Sequence, residues 1–171
     1  EKRLQKYVNV KLTTDVSMLS ENQRKMIPSL IKVAKIMDGL FWKQAYGDKE
    51  EFLKSISNEN TRQFANINYG PWDRLDGNEP FVDGVGEKPL GANYYPADMT
   101  KEEFESSDLE GKNSLYTLIR RDSTGQLISI PFHVAFKTEL AEAAELLFGA
   151  SYYADNEQLK NHLMFRAEAL I

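Results

Sequence analysis

Leu30, Val33, Ala34, Met37, Leu40, Phe41 and Ala45 recur at intervals of three and four. That spacing predicts an amphipathic helix of about five turns. Ser20 and Gln23 have the spacing of a reciprocal N-terminal cap, so a helix is expected to open at Ser20. Pro28 has no N–H to give, so the helix should restart there or kink. Gly47 is placed to end it. Asp48 can cap a short helix over residues 49–56, and another is expected over 59–67. The stretch before Ser20 mixes Val, Leu and Thr with charges and reads as extended or irregular.

Glycine and proline then crowd the chain between Gly70 and Pro96, which excludes long helices and strands there. Five aromatic residues, Tyr69, Trp72, Phe81, Tyr94 and Tyr95, sit in the same region, so an ordered, packed loop is expected rather than a linker. Thr100 and Glu103 again have capping spacing. Residues 115–121 read as a strand, with Leu115, Thr117 and Ile119 on one face and Tyr116 and Leu118 on the other, and residues 127–136 alternate as a second strand. Asp122, Ser123, Thr124 and Gly125 would turn the chain between them. Pro131 weakens the second strand or places it at an edge. Thr138 should cap the next helix, with the stripe Leu140, Ala143, Ala144 and Leu147 and a stop at Gly149. The last helix runs from about Asn156 with the stripe Leu159, Leu163, Ala167 and Leu170. It shows no C-terminal cap before Ile171, as expected of a cut within a longer polypeptide.

The fold class is therefore α+β, predominantly helical, with one β-hairpin and a long ordered Gly/Pro-rich loop. One lobe over residues 1–171 is expected. It comprises an extended lead-in (1–19), helices (20–67), the ordered loop (68–98), a short helix with the hairpin (99–136) and closing helices (137–171).

The absence of cysteine removes disulfides, thiol nucleophiles and thiolate-bound zinc. The net charge of −5, without a basic stripe, argues against nucleic acid as a partner. No apolar run is long enough to span a membrane. The compartment stays open: the cytoplasm is favoured, and the periplasm would follow if a signal segment preceded Glu1.

The chemistry is sparse. His133, placed on the second strand, and His162, beside the last stripe, are the two histidines. Neither has a partner at metal-ligand spacing, and both read as structural. No nucleophile elbow or phosphate cradle occurs. The pairs Glu50-Glu51 and Glu102-Glu103 fall in the first turns of short helices, where the dipole favours anions. The weak binding candidates are Asn68, Tyr69, Trp72, Asp73 and Arg74, an aromatic platform with polar handles. The competing reading, which is favoured, makes Trp72 a core plug and pairs Arg74 with Asp73 or Asp76 to pin the loop.

Four runs carry a resemblance. They are Ile36-Met37-Asp38-Gly39-Leu40-Phe41-Trp42-Lys43-Gln44-Ala45-Tyr46-Gly47, Ile67-Asn68-Tyr69-Gly70-Pro71-Trp72-Asp73-Arg74-Leu75-Asp76-Gly77, Gly91-Ala92-Asn93-Tyr94-Tyr95-Pro96-Ala97-Asp98-Met99 and Leu115-Tyr116-Thr117-Leu118-Ile119-Arg120-Arg121. Together they resemble the N-terminal part of bacterial proteins similar to dipeptidyl peptidase III, over residues 19–171.

The resemblance implies a two-lobed zinc exopeptidase that removes dipeptides from peptide N-termini. It also implies a metal held by an H-E-x-x-G-H helix and by a glutamate of an E-E-x-x-A-[E/D] helix. Three such ligands leave zinc an open position for water. Neither motif is present: Glu50-Glu51 runs into Phe52-Leu53-Lys54-Ser55, and Glu102-Glu103 into Phe104-Glu105-Ser106-Ser107.

No catalytic or zinc-binding residue is therefore carried over. Zinc is implied for the full-length parent only. The implied partners are the remaining metal-binding lobe and, in the full protein, a peptide substrate. Alone, the chain is expected to be inactive, a non-catalytic N-terminal portion that supplies structure and part of a cleft wall. The alternative is a stand-alone ligand- or partner-binding module using residues 68–77. The first reading predicts an apolar docking surface around Leu163 and Leu170.

Overall fold

A computed structural model describes residues 2–171. About half of the chain is helical, with two small antiparallel sheets. The chain divides into two compact units. One takes the residues up to 10 together with 41–130, the other residues 11–40 and 131–171. No helix among the described residues is long and apolar enough to cross a membrane.

Helix α1 spans Glu21–Ala45. Ser20 Oγ accepts the Gln23 N–H at 3.1 Å and Gln23 Oε1 accepts the Ser20 N–H at 3.1 Å, the reciprocal cap that the spacing predicted. Pro28 neither restarts nor breaks the helix. It lies on the exposed side, where a carbonyl deprived of its helical donor can turn to water. The expected stripe is also shifted. Phe41 is 45% exposed, whereas its neighbour Trp42 is 1% exposed.

In the unit of residues 11–40 and 131–171, a four-residue helix α5 (Phe132–Ala135) precedes α6 (Lys137–Ser151) and α7 (Glu157–Glu168). Met26, Ala144, Leu147, Ala150, Leu163 and Ala167 form its core, with Leu30, Val33, Leu159 and Leu170 packed on it. Ala150 and Ala167 are fully buried, and their lack of bulk lets α6 and α7 approach closely. Asp155 joins two helix starts: it accepts from Ser20 Oγ at 2.6 Å and from Asn22 Nδ2 at 3.3 Å, just before Asn156 caps α7.

Several expectations fail in this unit for identifiable reasons. The predicted strand over 127–136 stops at Pro131, and Phe132–Ala135 turns helical. Pro131 has no N–H to extend a ladder, and the helical turn brings the Phe132 and Phe136 rings to 5.6 Å. His133 therefore lies on α5, not on a strand. Thr138 sits inside the first turn of α6 and caps nothing. Gly149 does not end α6, which continues two residues further because Ala150 and Ser151 are buried. Ser151 Oγ then donates back to the Phe148 carbonyl at 2.7 Å. Helix α7 closes at Ala169, whose N–H donates to the Ala167 and Phe165 carbonyls. Leu163 is 6% exposed, so the expected docking surface around Leu163 and Leu170 is core instead.

The other unit begins with a 3-10 turn at Leu4–Lys6. Helices α2 (Lys49–Ser55) and α3 (Glu59–Asn68) follow, each with a capping side chain: Asp48 accepts from Glu51 N and Asn58 from Thr61 N. Strands β1 (Trp72–Asp73) and β2 (Glu79–Pro80) pair antiparallel, Trp72 opposite Pro80 and Asp73 opposite Glu79. A 3-10 turn at Ala92–Tyr94 leads to α4 (Lys101–Ser106), capped by Thr100 as expected. The hairpin consists of β3 (Thr117–Arg121) and β4 (Leu127–Pro131). β3 starts later than expected, and Leu115 and Tyr116 are exposed. Leu118 and Ile119 are buried as successive residues, so both faces of β3 are covered.

Arg121 fastens α4 to the hairpin. Its Nη1 and Nη2 donate to Glu103 Oε1 and Oε2, each at 2.8 Å, while Nε donates to Asp98 Oδ2 at 2.8 Å. These bonds from Arg121 hold the Glu103 carboxyl below the usual glutamate range. A depressed folded value means that the clamp contributes fully above the unfolded pKa and is lost as pH falls through the lower folded one. In an acid titration followed by carboxyl NMR, Glu103 is expected to titrate late. Arg121→Met should return its midpoint to the ordinary range, and an unmoved midpoint would count against the clamp.

Candidate functional site

The segment from Asn68 to Arg74 is fixed from within. Asn68 is buried at the end of α3. Its Nδ2 donates to the Phe64 carbonyl at 2.9 Å, and its Oδ1 accepts the Arg74 N–H at 3.0 Å. Tyr69 takes the left-handed conformation, φ 55°, that ends α3. Its ring meets Phe41 edge-on at 4.7 Å and Trp42 at 5.3 Å. Trp72 is buried, donates its indole N–H to the Gly86 carbonyl at 2.9 Å and lies edge-on to Tyr46 at 5.6 Å.

Asp73 is wholly buried. Its Oδ1 accepts the Leu75 N–H at 3.1 Å, and its backbone carbonyl accepts the N–H groups of Asp76 and Asn78. Lys6 Nζ stands 3.7 Å from its Oδ2. The side chain thus shapes the turn that sequence alone marked as a polar handle. Arg74 behaves otherwise. It is exposed, and its side chain makes no hydrogen bond or ion pair among the described residues, so the expected pairing with Asp73 or Asp76 is absent.

Of the five candidates, Asn68, Trp72 and Asp73 come together as anchors. Tyr69 packs against the hydrophobic cluster of Trp42, Phe52 and Ile56, and Arg74 is exposed. Asn68→Ala would orphan the Arg74 N–H and the buried end of the loop. It is expected to lower stability by about 1–3 kcal/mol. Urea denaturation checks this, and an unchanged midpoint would show that the clip is dispensable.

The loop does not face solvent everywhere. Tyr46, Trp72, Asn93, Tyr95 and Arg120 line a cavity of about 260 Å³ beside it. Arg120 was missed in the sequence, where it was read only as part of a strand. A signal was available: successive residues of a strand point to opposite faces. Arg121 takes Asp98 and Glu103, and Arg120 faces the other way.

The donor set for a metal is poor. His133 and His162 are both exposed, on α5 and α7 respectively. Among the described residues no three His, Cys, Asp or Glu side chains converge as a metal-holding group. The residues present do not fit the zinc site that the resemblance implies for the parent.

No protein-family model matches the chain. It is 26% identical, over 233 residues, to Nudix hydrolase 3 of Arabidopsis thaliana, covering all of this chain and 30% of that protein. Two solved structures are more alike. Dipeptidyl peptidase III from Caldithrix abyssi matches at 37% identity and a TM-score of 0.90 over 99% of this chain and 34% of its own. Dipeptidyl peptidase III from Corallococcus sp. strain EGB matches at 32% identity and 0.86, again over 99% and 34%. The chain thus spans about a third of the length of the relatives it matches. It has the fold of one lobe of dipeptidyl peptidase III, consistent with an N-terminal part of a dipeptidyl peptidase III-like protein.

Proposed function

We propose that this chain is the non-catalytic N-terminal portion of a zinc-dependent dipeptidyl peptidase, supplying structure and part of a peptide cleft wall. The carrying observation is the match over 99% of the chain, at 37% identity, to a third of a dipeptidyl peptidase III structure. Burial supports a scaffold role. Asn68, Trp72 and Asp73 are spent on anchoring their own loop, and the last helix packs Leu163 and Ala167 into a core. In this reading the zinc and its activated water belong to the remaining lobe, and the substrate is a peptide with a free N-terminus.

The test is made on the parent. Its reading frame should carry the H-E-x-x-G-H and E-E-x-x-A-[E/D] segments downstream of this chain, and its product should release dipeptides from peptide N-termini only when zinc is bound. A parent lacking both segments, or one inert toward every dipeptidyl substrate, would defeat the proposal.

A further inference from the structure

Arg120 and Arg121 are neighbours on β3 with opposite electrostatic fates. Arg121 is paired with both Asp98 and Glu103. Arg120 has no carboxylate partner among the described residues. Its Nη1 donates to the carbonyls of Tyr94 (3.2 Å) and Ile119 (2.7 Å), and its Nη2 to that of Asn93 (2.9 Å). A guanidinium has five N–H donors. Three are used, which leaves Nε–H and one Nη2–H. Partial burial lowers the Arg120 pKa, and no acid offsets it. A half-buried cation held on neutral carbonyls is an uncompensated charge.

The surroundings shape what could answer it. Arg120 lines the 260 Å³ cavity whose walls include Tyr46, Trp72 and Tyr95. That is smaller than the roughly 300–1,000 Å³ of pockets for drug-sized ligands, so a group the size of one amino acid is the natural occupant. Tyr95 is itself fixed. Its ring lies across Gly91, where a Cβ would meet Tyr95 Cδ2 at 2.3 Å, so the wall depends on that glycine.

We propose that this cavity is a binding site for a carboxylate carried on a small apolar or aromatic group, with Arg120 as its receptor. Two free N–H donors on one planar cation match the two oxygens of a carboxylate. Arg120 is the only cation among the lining residues, which disfavours a phosphate dianion. The aromatic walls would cover the apolar part of the ligand. The site stands on this chain's own residues, whatever the parent's activity. The carboxylate could come from a chain end or from an acidic side chain, and two probes separate these sources.

The experiment titrates the whole chain with N-acetylphenylalanine, N-acetylglutamic acid α-amide, N-acetylphenylalaninamide and inorganic phosphate. The Arg120 Nε–H resonance is followed by ¹H–¹⁵N NMR, at concentrations that would saturate a site of about 1 mM Kd. A saturable shift with either carboxylate, and none with the amide, is the expected result. The tighter of the two carboxylates identifies the source.

Arg120→Lys keeps the charge but loses the paired donors, and should weaken binding at least about tenfold. Its shift cannot be read at Arg120, so Trp fluorescence reports that variant. Ala97 lies on the exposed rim of the cavity, so Ala97→Phe narrows its mouth without removing any Arg120 hydrogen bond and should weaken the shift. The proposal is overturned by silence with both carboxylates, by an equal response to the amide, by tighter binding of phosphate, or by undiminished binding in Ala97→Phe.

Discussion

Truncating Trp42 to alanine is expected to destabilise its unit by about 3–5 kcal/mol, as removal of a large buried aromatic does. Trp42 is 1% exposed and holds together Phe52, Ile56 and Ala65, with Tyr46 and Tyr69 packed around them. It touches Phe52 at 6.4 Å and Tyr69 at 5.3 Å between ring centroids, and Lys49 Nζ stands 5.5 Å from its ring. The hole left behind could not close, because Tyr69 is committed to the left-handed cap of α3. The variant retains one tryptophan, Trp72, which lies in the same unit. Its fluorescence in urea reads the loss directly. A midpoint within error of the parent would show that this cluster is not the core of the unit.

Leu163→Ala should cost the other unit about 2–5 kcal/mol, the range for leucine removed from a packed core. Leu163 lies among Met26, Ala144, Leu147, Ala150 and Ala167. Four of these five neighbours come from rigid helix faces of α6 and α7, so little can move in to fill the void. The unit contains no tryptophan, so far-UV circular dichroism is the suitable probe. A small loss, below about 1 kcal/mol, is the value of an exposed substitution. It would mean that Leu163 lines an open surface after all.

These two residues show what was legible in the chain and what was not. Leu163 was read into the stripe of its helix, and the spacing of its neighbours was sufficient. Trp42 was not, because on α1 the period alone favours Phe41. The choice between them is made by α2 and α3, which supply Phe52 and Ala65. Local chemistry read well wherever one side chain satisfies one backbone group. Ser20, Asp48 and Thr100 all cap as their spacing suggests.

It read badly where tertiary packing overrides a local signal. Gly149 is a reasonable helix stop, but burial of Ala150 carries α6 past it. Residues 128–134 alternate like a strand, yet Pro131 ends the ladder and the Phe132–Phe136 contact rewards a helical turn. The candidate site followed the same division. Trp72 was legible as a plug. The burial of Asp73 against Lys6 was not, since their positions are far apart in sequence. Strand alternation sets Arg120 and Arg121 on opposite faces, but which of the two meets Asp98 and Glu103 is decided by the fold.

The proposed assignment of the zinc chemistry to the remaining lobe of the parent is the point on which the functional reading turns. The direct measurement is a zinc titration of the purified chain by calorimetry, run beside an assay of dipeptide release from a dipeptidyl arylamide. The expected outcome is no saturable zinc binding near unit stoichiometry and no release above background with or without the metal. One zinc ion held tightly by this polypeptide, together with zinc-dependent release of dipeptides, would contradict the assignment of the chemistry to the rest of the parent.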